Sequence, residues 1–183
     1  MNKKKFLALG LSAVVASSFV ITSAFAKITS VGMPSGSFSV NDDVSDSYFK
    51  NRIYNATYNW NVTPTLAAIG RSSTSTNTIN KLAGGATSSY GMYCARGSIG
   101  ATTGFDIYIN YQAVEAHVSG RSSSDRDKAY DSVIVHELGH ALSLDDLAGF
   151  FDTRKSIMSE WINRYDVWTP QQYDIDDVNS VYK

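Results

Sequence analysis

The chain has 183 residues, 43% of them hydrophobic and 18% charged, with a formal net charge of −1. That is one domain's worth of sequence with the polar balance of a soluble globular protein. A single cysteine, Cys94, excludes an internal disulfide in the monomer, so any staple must be of another kind, and a metal would qualify.

Read from the start, Lys3, Lys4 and Lys5 form a basic segment ahead of an apolar stretch from Phe6 to about Ile21. Ser12, Ser17 and Ser18 interrupt that stretch, and Ala24-Phe25-Ala26 matches a small-x-small cleavage site. Residues 1–26 therefore read as a secretory signal peptide and residues 27–183 as the exported domain, with a bacterial look to the leader. Nothing later is long and apolar enough to span a bilayer. Three of the 16 basic residues precede the cut and all 17 acidic ones follow it, which leaves the mature chain at net −4. A mildly acidic chain argues against nucleic acid or an anionic membrane as partner.

Residues 27–36 read as an irregular lead-in, and Ser37–Val40 as a short strand. Ser45 or Ser47 starts a helix to about Trp60, with Phe49, Ile53, Ala56 and Trp60 on one face. Thr65–Ile69 is a candidate strand, 70–78 a Ser/Thr-rich loop, and Thr78–Leu82 and Gly91–Ile99 further strands. Phe105–Tyr111 is the strongest strand, with Phe105, Ile107 and Ile109 facing one way. A second helix is expected over about Asp125–Leu142, with caps offered by Ser122 to Asp125 and with Ser124 and Asp127 at capping-box spacing. A loop covers 144–168. Thr169-Pro170 opens a last helix whose buried face is Ile175, Val178 and Val181. The order predicts one α+β domain, a sheet backed by helices.

His136-Glu137-Leu138-Gly139-His140 is an HExxH pattern inside the second helix. Residues four apart share a helical face, so both imidazoles can reach one zinc ion. Glu137 beside them can take a proton from the attacking water and pass it to the leaving amine. With three histidines in the chain, a chance match has odds on the order of one in a thousand. A catalytic zinc takes three protein ligands and keeps one position open. The third is expected to be a carboxylate, Asp146 or Asp145, since an acidic pair at a helix C-terminus is otherwise unfavourable. Asp152 and Glu160 are more distant candidates, and His117 reads as a surface or strand-end histidine.

HELGHALSLDD resembles the metzincin zinc signature, with Asp146 at the position of its last histidine, as in the snapalysin-like branch. Ser156-Ile157-Met158-Ser159 is similar to the metzincin Met-turn, and TPQQYDIDDVNSVYK to the closing helix of bacterial matrixin-like proteases. The resemblance is specific over 130–183 and loose over 37–111. It implies a mixed, twisted sheet above an active-site cleft, with substrate antiparallel to an edge strand within Gly91–Ile99. It implies zinc ligands His136, His140 and Asp146, base Glu137, and Met158 beneath the site. It also implies a metalloendopeptidase acting on proteins or peptides, which with the leader is expected to be secreted and monomeric. Ser143 stands where the signature has glycine, and Glu160 where some members place a tyrosine. Cys94 lies inside the expected domain and reads as a buried free thiol, not a latency switch. Rival readings are a zinc-bearing module without proteolysis and an amidase acting on cell-wall peptides.

Overall fold

The computed structural model describes residues 29–82, 89–148 and 155–183, so the expected leader and Asp152 lie outside the described residues. The architecture is α+β. Five strands, β1 (Ser37–Val40), β2 (Ala68–Arg71), β3 (Thr78–Leu82), β4 (Gly91–Ser98) and β5 (Ala101–Asn110), accompany four helices, α1 (Ser47–Asn61), α2 (Tyr111–His117), α3 (Ser123–Ala141) and α4 (Gln172–Val181). No helix among the described residues is long and apolar enough to cross a membrane.

The strands form two small sheets where a single mixed sheet was expected. β1 pairs parallel with β2, and β5 lies between parallel β3 and antiparallel β4. Side chains stitch the two together: Ser75 and Asn77 donate to the Ser39 carbonyl at 2.7 and 2.9 Å, and Phe38 meets Phe105 edge-on. β4 and β5 form a hairpin that turns through Ile99-Gly100, with Gly100 at φ 78°. The β3-β5-β4 order leaves β4 on an edge.

α1 is capped by Asp46, whose carboxylate accepts the Phe49 N–H at 3.1 Å. Phe49, Ile53, Ala56 and Trp60 are buried, as their spacing predicts. Trp60 donates its indole N–H to the Val135 carbonyl at 3.0 Å, fixing α1 against α3. α2 is an addition to the expected order. The strand passes straight into it because Asn110 caps it, accepting the Ala113 N–H.

α3 begins at Ser123 and is capped by Ser122, which accepts the Asp125 N–H at 3.1 Å. Every residue from Ala129 to Gly139 is buried, so the expected apolar stripe is in fact a helix enclosed all round. α1 and β4 pack on it, and the segment around Met158 covers its C-terminal end. α4 starts two residues later than expected, with Asp174 accepting the N–H of the cap residue Gln171 at 2.7 Å. Its buried side is Asp174, Asp177 and Val178, while Ile175 and Val181 are only half-buried. Polar side chains hold that face because Asp174 has partners inside: Ser156 Oγ at 2.5 Å and the Ile157 N–H at 2.9 Å.

Candidate metal centre and its cleft

The last two turns of α3 carry His136 and His140 on one face, their ring centroids 4.9 Å apart. Each Nδ1 lies 2.9 Å from a backbone carbonyl, Ile157 for His136 and Leu144 for His140. A carbonyl can only accept, so both Nδ1 atoms carry protons. Burial pulls His136 down to about 4, which leaves its imidazole neutral at pH 7 with a bare lone pair on Nε2.

The chain leaves α3 through Ser143, at φ 67°, a left-handed conformation a serine tolerates less readily than glycine. That turn brings Asp146 back over the helix. Asp146 Oδ1 lies 3.1 Å from His136 Nε2 and 3.5 Å from His140 Nε2. Three candidate ligand atoms thus converge, with both Nδ1 atoms turned to carbonyls. Ligand atoms on a tetrahedral zinc with bonds of about 2.0–2.1 Å sit about 3.3 Å apart, which the two separations match. The donor set suits zinc, and the carbonyls behind the imidazoles orient them as supporting groups do in metal sites.

Glu137 also brings a carboxylate oxygen within 4.8 Å of the two imidazoles. Glu137 is packed against the backbone of Gly91, where any Cβ would overlap its carboxylate. Burial pushes Glu137 up to about 8; Arg164 opposes that shift and Asp146 adds to it.

The remaining expected residues separate. Asp145 accepts the Asp146 N–H at 3.0 Å and lines the cleft. Glu160 is exposed on the rim, its backbone N–H held by Leu147. His117 ends α2 and lies between Tyr90 Oη at 3.1 Å and Asn163 Oδ1 at 3.3 Å, away from the imidazole pair. Cys94 is half-buried on β4, not fully buried. Met158 is buried against Gly139, which has no room for a Cβ because of the Met158 sulfur.

The cleft over the three acceptors encloses about 820 Å³, bordered by the start of β4 and by Trp161 and Arg164. Arg164, Tyr90 and the Ile157 and Leu144 carbonyls carry no signature in the sequence; only the glycine opening β4 hints at a close approach there.

No family model matches the chain. No curated protein matches it either. Among solved structures, one described as the GM1 bound form of the ECX AB5 holotoxin is similar over 79% of this chain and 79% of that one, at 13% identity and a TM-score of 0.48.

Proposed function

We propose that this chain is a zinc-dependent metalloendopeptidase, with His136, His140 and Asp146 as ligands and Glu137 as the base. The observation that carries the reading is the convergence of two Nε2 lone pairs and one carboxylate oxygen at the floor of an open cleft. Zinc bound there supplies Lewis-acid polarisation of a peptide carbonyl and makes water easier to deprotonate. Everything else falls to the protein. The Ile157 and Leu144 carbonyls hold the imidazole rings in the tautomer that leaves Nε2 free. Glu137, enclosed between α3 and Gly91, receives the proton of the attacking water and returns it to the leaving amine. A carboxylate near neutrality suits both directions of that transfer. The resemblance around HELGHALSLDD supports the same assignment and a peptide substrate, and the reading of residues 1–26 as a leader supports export.

The test is metal analysis of the purified mature chain together with casein hydrolysis with and without chelator. One zinc per chain and chelator-sensitive cleavage are expected. A chain that takes up no zinc sinks the reading.

A further inference from the structure

Arg164 is only 6% exposed, yet it borders the cleft. Its Nη1 donates to the Ile157 carbonyl at 3.2 Å and its Nη2 to the Ser159 carbonyl at 3.5 Å. Nε has no partner. Two of the five guanidinium N–H donors are therefore accounted for. Burying a cation is costly unless an anion meets it, but no ion pair among the described residues includes Arg164. Glu137, Asp146 and Glu160 attract it without touching it. The first two belong to the proposed chemistry, and Glu160 is exposed on the rim, where water screens it. The Ile157 carbonyl that Arg164 donates to also receives the His136 Nδ1 proton. The guanidinium is thus one carbonyl away from His136, on the border of the same cleft.

We propose that Arg164 determines specificity, and that the cleft selects peptides with an aspartate or glutamate beside the scissile bond. The substrate carboxylate takes free donors of the guanidinium and supplies the missing counter-charge. Arginine suits this because its planar fork meets a carboxylate in two parallel hydrogen bonds. The inference rests on the hydrolase reading above. A neutral side chain of the same shape leaves the buried cation unpaired, and hydrogen bonds to charged groups put that loss at about 10–100-fold.

The zinc-loaded mature chain is incubated with a randomised peptide library and the cut sites are read by mass spectrometry. Acidic residues are expected to dominate one of the two positions flanking the cut. Matched peptides differing by Asp→Asn at that position should differ about 10–100-fold in kcat/KM. Equal cleavage of the pair overturns the proposal, and that comparison needs no variant. Arg164→Met should erase the preference and Arg164→Lys keep part of it; an acidic preference that survives in a folded Arg164→Met chain also overturns it. If the chain cleaves nothing, the hydrolase reading fails on its own, and binding decides this one. The exposed Trp161 in the cleft wall reports binding of the same Asp and Asn peptides by fluorescence. Tighter binding of the Asp peptide supports the assignment, and equal affinity refutes it.

Discussion

Glu137 and Gly91 form one unit. The carboxylate has its place only because residue 91 lacks a side chain, so Gly91→Ala must displace one or the other. Hydrolysis in Gly91→Ala is expected to fall about 10–100-fold while bound zinc stays at one per chain, since a small misplacement of a catalytic group is enough for such a loss. Glu137→Gln should likewise keep its zinc and lose most activity, read by metal analysis beside a peptide assay. For the ligands, Asp146→Ala should weaken zinc binding more than Asp145→Ala in a competition titration; the opposite order reassigns the third ligand. Ser143 poses a backbone question. At φ 67° it occupies a region where β-branched residues are outliers, so Ser143→Val should lower stability by about 1–2 kcal/mol in denaturant melts, whereas Ser143→Gly should be tolerated.

At the scale of elements, buried carboxylates on α3 and α4 tie each helix to its neighbours. On one side, Arg52 and Asn55 of α1 approach Asp131 of α3, each at 3.3 Å. Burial nevertheless pushes Asp131 up to about 7, with Arg52 and Asn55 offsetting only part of the shift. A raised carboxyl keeps its proton in the folded chain after the unfolded chain has released it. Stability from this group is therefore present at low pH and lost as pH rises from about 4 towards 7. Asp131→Asn removes that slope: it should gain on the parent by a few kcal/mol at most between pH 5 and pH 8, measured by denaturant melts at both. On the other side, Asp174 ties α4 to the Ser156–Met158 segment, whose Ile157 carbonyl orients His136. α4 is thereby linked to His136 through a buried carboxylate.

The proposed zinc ligands come from α3 and the loop after it, and they close on each other only in the folded state. Metal binding is then folding free energy. With free zinc about 1,000-fold above its Kd, the gain is about 4 kcal/mol, or roughly 8–16 °C in melting temperature for a domain of this size. Calorimetry with and without chelator reads this directly, and identical melting temperatures would mean that no zinc site forms.

Periodicity made α1, β5 and the helical setting of His136, Glu137 and His140 legible from the sequence alone, because 3.6- and 2-residue repeats are local properties. The signature also pointed to Asp146, although spacing could not separate it from Asp145. Other features were decided elsewhere. The split into two sheets depends on which strand edges meet, and the inward turn of Asp174 depends on backbone donors from a segment 17 residues away. The carbonyls that set the histidine tautomers, the glycine that admits Glu137 and the unpaired guanidinium of Arg164 are long-range coincidences. A local pattern cannot encode them, since each exists only once distant pieces of chain pack against the same end of α3.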